Sequence, residues 1–189
     1  MGANQAISRE QPEVRFAGGG VGRGLDAADF TQAFRNHPAG VAVITADAGD
    51  GPVALTATSV FSVSVDPPLL VFSLSDQSSS AGSIQRAGSL VVHLLGADQL
   101  HLARLCATSG VDRFADRGSW DRLASGEPYF TGVDTWIRGT IVGRMRAGAS
   151  TVIALHALEA RLPDDSAAAP LVYHNRSWHG LGDHSRVGG

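Results

Sequence analysis

The chain has 189 residues, 43% of them hydrophobic, which is enough apolar mass to core one domain. A formal net charge of −3 without any basic block argues against a nucleic-acid partner. No apolar run reaches the length of a membrane span, the N-terminus lacks a basic-then-apolar secretion signal, and the single Cys106 rules out an internal disulfide framework, so no membrane is expected and the cytoplasm is the expected compartment.

In chain order, residues 1–24 read as a disordered arm, polar and then glycine-rich, with no strand before the glycines to make a dinucleotide fingerprint. Asp26 is an N-cap, and Phe30, Ala33 and Phe34 fall on one face of the helix it starts. His37-Pro38-Ala39-Gly40 stops that helix. Val41 to Thr45 is a short strand, and the turn Ala48 to Pro52 leads it into a hairpin. Leu55 to Val65 alternates as one strand, with Leu55, Ala57, Phe61, Val63 and Val65 on the apolar face and Thr56, Thr58, Ser62 and Ser64 on the other. Ser59 breaks the rule by sitting on the apolar face, where it needs either a backbone carbonyl or a ligand as partner.

After the Asp66-Pro67-Pro68 corner, Leu69 to Leu74 is a near-continuous apolar run, as a central strand would be. A short helix covers Ser80 to Ala87, a strand Leu90 to Leu95, and an amphipathic helix Asp98 to Thr108 through Leu102, Leu105 and Cys106. Ser109 to Gly132 reads as polar and loop-rich. Two long strands follow, Asp134 to Arg146 and Thr151 to Leu162, joined by a turn at Ala147 to Ser150. Pro163 to Pro170 is a loop whose Asp164-Asp165 reads as solvated; Leu171 to His174 is the last strand, and residues 185–189 form a disordered tail. Residues 25–184 are thus one domain. Many strands with three helices predict a mainly β, antiparallel barrel.

The chemistry is bounded first by absence. All 15 basic residues are arginine, so a P-loop lysine and a lysine Schiff base are both excluded, and with them P-loop hydrolysis and pyridoxal phosphate chemistry. There is no G-x-S-x-G nucleophile elbow. His174, His179 and His184 are spaced by five, without a cysteine pair, so no metal site is expected.

Two features remain. Ser78, Ser79 and Ser80 at a helix start offer hydroxyls and free backbone N–H groups to a phosphate, with Asp76 to brace the loop and Arg86 to add charge; a plain helix cap has the same sequence. Thr56, Thr58 and Ser59 could meet the pyrimidine edge of an isoalloxazine ring, and an ordinary solvated strand face looks the same. Together they outline a flavin mononucleotide.

In order and spacing, several motifs resemble the short-chain flavin reductase family with its FMN-binding split barrel. They are His37-Pro38-Ala39-Gly40-Val41, Leu55 to Ser59, Ser62-Val63-Ser64 with Asp66-Pro67-Pro68-Leu69, Ser78 to Ser80, Asp112-Arg113-Phe114, and Pro170-Leu171-Val172-Tyr173-His174. The match runs from Phe30 to Trp178 and is nearest to reductase components of two-component monooxygenases. The resemblance implies a homodimer with flavin near the subunit seam. Pro38 and Ala39 would lie near the flavin, and Thr56, Ala57, Thr58, Ser59 and Val60 would contact its ring. Ser78, Ser79 and Ser80 would hold the phosphate, and Arg113 and Phe114 would help close the site; Asp76 stays the candidate brace of that loop.

The expected activity is NAD(P)H-dependent reduction of FMN, FAD being the other flavin the pattern admits, with reduced flavin passed to a partner monooxygenase. No dedicated acid or base is implied, because the protein's task is to orient two rings. Tyr173 and Ser150 would lie on the nicotinamide side. At the turn between the long strands this family usually carries Gly-Asp-His; here it reads Gly148-Ala149-Ser150. That departure keeps open a flavin-binding protein with weak or no reductase activity, a carrier or sensor. A third alternative is a barrel for an unrelated apolar ligand.

Overall fold

The protein is described by a computed structural model covering residues 24–163 and 168–188. The expected arm therefore lies outside the described residues up to position 23, as do Asp164-Asp165 and the last residue of the tail. Asp26 caps α1 (Ala27–Arg35) as expected, its carboxylate accepting the Ala28 N–H at 2.7 Å. β1 (Ala39–Gly40) is followed by β2 (Ala42–Asp47) and β3 (Pro52–Ala57). The turn between β2 and β3 is built by Asp47, whose Oδ1 accepts from the Gly49 and Gly51 N–H groups. β4 (Phe61–Val65) and β5 (Pro68–Ser75) flank the proline corner. Then come α2 (Ala81–Arg86), β6 (Ser89–Leu94), α3 (Leu100–Ala107), β7 (Trp120–Arg122), β8 (Pro128–Phe130), β9 (Trp136–Ala147), β10 (Ser150–Arg161), β11 (Leu171–His174) and β12 (Ser177–Gly180).

Seven strands form one antiparallel sheet in the order β3-β2-β6-β9-β10-β5-β4. The sheet curls on itself. Leu55 and Ala57 of β3, near one end of the order, share a buried cluster with Leu70, Phe72 and Leu74 of β5, near the other. Ile44, Leu90, Val92, Ile141, Ile153 and Leu155 complete this interior, and Ala81, Ile84 and Ala87 bring α2 against it. This is the expected split barrel.

A second core lies outside the barrel wall. There α3 contributes Leu102, Ala103 and Cys106, and these meet Val41, Val43, Ala54, Phe114, Phe130 and Leu171. β2 is consequently buried on both faces: Ala42, Ile44 and Ala46 point into the barrel, Val41 and Val43 away from it. Buried polar groups between the layers find partners. The His93 ring accepts the Phe130 N–H at Nε2 (3.0 Å) and meets the Val43 carbonyl at Nδ1 (3.0 Å). Burial pushes its pKa down to about 4, so this histidine is a neutral structural bridge. Cys106 is likewise inert, its thiol pushed up to about 12 by burial.

Four expectations need correction. Leu55 to Val65 is two strands: the ladder stops at Ala57 and restarts at Phe61, and the bend between them carries β4 to the sheet edge. The apolar face of β4 is therefore uncovered, with Phe61 61% exposed and Val65 88%. Leu69 to Leu74 is buried on one face only, through Leu70, Phe72 and Leu74. The segment read as loop holds the hairpin β7–β8, pinned by Trp120, whose ring packs edge-on to Phe114. Leu171 to His174 is not the last strand, since β12 pairs back onto it.

Candidate functional site

A groove of about 860 Å³ opens where four segments meet: the end of α1, the loop running into β1, the bend between β3 and β4, and the β11–β12 turn. The sequence dictates the convergence. Pro38 ends α1, β1 pairs with β11 through Ala39 opposite Tyr173, and the Asn175 N–H donates to the Arg35 carbonyl at 3.0 Å. Across the groove the bend is held by Ser59. Its hydroxyl donates to the Ser73 carbonyl (3.2 Å) and accepts the Ser73 N–H (2.9 Å). Of the two partners open to Ser59 in the sequence, the backbone is the one it has.

Pro38, Ala39, Thr58, Ser59, Val60 and Tyr173 all line this groove. Thr58, Ser59 and Val60 have no ladder partner, so their backbone polar groups are presented rather than consumed. Thr56 and Ala57 are used elsewhere. The Thr56 hydroxyl donates to the Ala103 carbonyl of α3 at 2.7 Å, and Ala57 faces the barrel core.

The serine run sits at the other end of β3. Ser80 is buried and its hydroxyl donates to the Ala54 carbonyl at 2.8 Å. Ser78 Oγ accepts the Ser80 N–H at 3.3 Å, and Ser79 is exposed. Arg113 reaches this run: its Nη1 lies 3.5 Å from Ser80 Oγ, while Nε and Nη2 donate to the Cys106 and Thr108 carbonyls at the end of α3. The fold therefore places a guanidinium held by backbone carbonyls beside the serines, a fit for a phosphate. Since α2 has only six residues, its macrodipole adds little, and Arg113 is the principal charge. Arg86, by contrast, is paired with Asp50. Ala54 and Thr58 are four steps apart on one extended segment, so the serine cradle and the groove lie roughly 13 Å apart.

Asp76 does not accept from the serine loop. It pairs with Arg146 at 3.3 Å, and its N–H donates to the Ala149 carbonyl at 3.0 Å, which ties the loop to the β9–β10 hairpin. Phe114 is 6% exposed and stacks on Phe130 at 5.3 Å, so its ring belongs to the second core. Ser150 opens β10 opposite Ser75 and Ala147. Within one subunit it does not line the groove that holds Tyr173.

Some groove residues were not singled out as site candidates from the sequence. Phe30, Phe34 and Arg35 have the sequence pattern of an ordinary helix, while Phe61, Asn175 and Arg176 reach the groove only through the β3–β4 bend and the β11–β12 turn. Among the described residues the lining contains Arg35, Arg176, His37 and His174 and no carboxylate. It suits an anionic partner carrying a flat ring.

The comparisons with known proteins agree with this architecture. The family described as "Flavin reductase like domain" matches residues 34–182. The chain is 44% identical over 158 residues to an NADH:FMN oxidoreductase of Rhodococcus erythropolis, covering 82% of each protein. It resembles the crystal structure of a flavin reductase domain protein from Arthrobacter sp. FB24 (32% identity, TM-score 0.77, 82% of this chain and 95% of that one). It also resembles the flavin reductase component of a bacterial two-component tryptophan halogenase (34% identity, TM-score 0.74, 84% and 99%). With its curled sheet, its serine cradle and a matched stretch running from Phe34 to Gly182, the chain belongs to the flavin reductase-like family.

Proposed function

We propose that the protein is an NADH-dependent FMN reductase that supplies reduced flavin to a partner monooxygenase. The observation that carries this reading is the placement of two complementary sites at the ends of β3. The free backbone of Thr58–Val60 suits an isoalloxazine edge, and Ser78–Ser80 with Arg113 suits the phosphate. The 44% identity to an NADH:FMN oxidoreductase supports the choice of donor and acceptor. The likeness to a halogenase reductase component supports a partner oxygenase.

Thr58–Val60 and Ser78–Ser80 with Arg113 would hold the flavin, which would supply the redox chemistry as hydride acceptor. The residues of this chain bind and orient. Ser59 fixes the bend against β5 so that the Thr58–Val60 backbone holds one shape. Arg113, pre-positioned by two carbonyls, loses little entropy on meeting a phosphate. Tyr173 stands in the groove with its ring against Trp178 at 4.7 Å, a rigid wall for an approaching nicotinamide.

The uncovered β4 edge supports a homodimer. Phe61, Val63 and Val65 form an exposed apolar strand face, which isolated proteins avoid. A cytoplasmic location belongs to the same proposal, on the single cysteine of the chain; among the described residues no helix is long and apolar enough to cross a membrane.

A second reading, a flavin carrier with little reductase activity, is favoured by Ser150, which lacks the ring and charge of the histidine usual in the family. Anaerobic mixing of the FMN-loaded protein with NADH separates the two. Rapid bleaching of flavin absorbance is expected; stable yellow colour over many minutes would leave only the carrier. Ser150→His should then lower the KM for NADH, and an unchanged KM would remove Ser150 from the nicotinamide side.

A further inference from the structure

The geometry points to Arg35 and Arg176 as the pair that grips the diphosphate of the pyridine dinucleotide, an inference that rests on reading the groove as the approach of NADH. The β11–β12 connection is a two-residue turn in which Asn175 has φ +46° and Arg176 φ +62°. Asparagine tolerates this left-handed region, but the second position of such a turn favours glycine, and a long side chain there is strained. Strain of this kind is retained where the side chain has a task. Here Arg176 lines the groove.

Arg35 faces the same space from the last turn of α1. Its carbonyl accepts the Asn175 N–H, so one backbone hydrogen bond fixes the relative position of the segments that carry the two guanidinium groups. Its position next to a helix C-terminus is favourable in itself. That does not account for its Nε, which is buried without a hydrogen-bond partner among the described residues. Elsewhere in the molecule Arg86, Arg122, Arg138 and Arg146 each meet a carboxylate. Among the described residues no carboxylate lines the groove. Among the described residues neither guanidinium meets a carboxylate, and two such planar donors lining one groove match adjacent phosphates, to which guanidinium forks bind bidentately. The single phosphate of FMN already has Arg113 and the serines at the far end of β3. The anion left for the groove is the diphosphate of the hydride donor.

Arg176→Gly separates binding from folding, because it installs the residue the turn favours. The variant should melt no lower than the parent, while the KM for NADH rises roughly tenfold, as for loss of a charged hydrogen bond. Arg176→Lys, which keeps a charge without the fork, should fall between. The KM of the parent should climb with ionic strength and that of Arg176→Gly should climb less. Reduced nicotinamide riboside, which has no phosphate, should be used equally well by parent and variant. FMN affinity, read from quenching of flavin fluorescence, should stay put in both.

NADH binding to flavin-free protein, followed by its own fluorescence, tests the arginines even if FMN fails to bind and the reductase reading falls. An unchanged NADH affinity in both Arg176→Gly and Arg35→Gln would overturn the assignment. So would a selective loss of FMN relative to riboflavin, which would give these arginines to the flavin phosphate instead.

Discussion

β2 and β4 are both rich in apolar residues, yet β2 is buried on both faces and β4 is open to solvent. The difference is position. β2 lies between the barrel interior and the second core under α3, so both sides of its pleat meet apolar neighbours. β4 ends the strand order, and the bend at Thr58–Val60 turns it away from both cores. Bare apolar strand faces of this kind are typical of contact surfaces. The groove adjoins it, with Phe61 lining its wall. One strand thus holds the molecule together, and the other carries the proposed subunit contact.

The strongest way to break this comparison is to shorten one side chain on each strand. Ile44→Ala empties a fully buried position and should cost about 2–5 kcal/mol in denaturant unfolding. Val63→Ala, at concentrations where the chain is monomeric, should stay within about 0.5 kcal/mol and shift the dimer midpoint in sedimentation instead. Equal costs in the monomer would mean that β4 is part of the core after all.

Acid sharpens the buried side of the comparison. His93, held near 4 by burial, has a folded pKa below its ordinary 6.5. Its contribution is present above pH 6.5 and lost as pH falls toward 4, because only the unfolded chain takes up the proton in that window. The full effect is on the order of 3 kcal/mol. For Glu127, burial alone would raise the carboxyl, but hydrogen bonds from Arg138, Ser125 and Ser89 outweigh it and hold the group at about 2. Its loss begins only below its ordinary 4.5, so pH 6.5 to 4.5 isolates the histidine. His93→Asn should flatten stability across that range in urea titrations; a slope that survives would assign it to another group.

Ser59 tests the hinge between the two strands. Ser59→Ala removes both hydrogen bonds to Ser73 and should cost about 1–2 kcal/mol, with weaker FMN binding as the bend loosens. Unaltered FMN affinity would show that the bend holds its shape without that hydroxyl. The smallest effect belongs to the exposed pair Asp76–Arg146. Asp76→Asn should change stability by less than about 0.5 kcal/mol, and the change should vanish in high salt.

Local chemistry was legible in the sequence. The Asp26 cap, the hairpin turn after Asp47, the α3 stripe and the long β9–β10 pair all follow from side-chain spacing and turn residues acting within a few positions of one another. The candidate serine run and the Pro38–Ala39 segment were picked out by motifs in a recognisable order, and the fold puts Pro38 and Ala39 on the groove and Arg113 beside Ser80. What the tertiary structure decided is where each element stands relative to the cores. Alternation along 55–65 specifies two faces but cannot say that the strand breaks and that only its first half reaches the barrel. Phe114 and Thr56 carry the right chemistry for a ligand, yet long-range packing under α3 claims the ring and the hydroxyl. The pairing of Arg35 with Arg176 depends on a helix end meeting a turn some 140 residues later through one backbone hydrogen bond, and nothing in the intervening sequence encodes that distance.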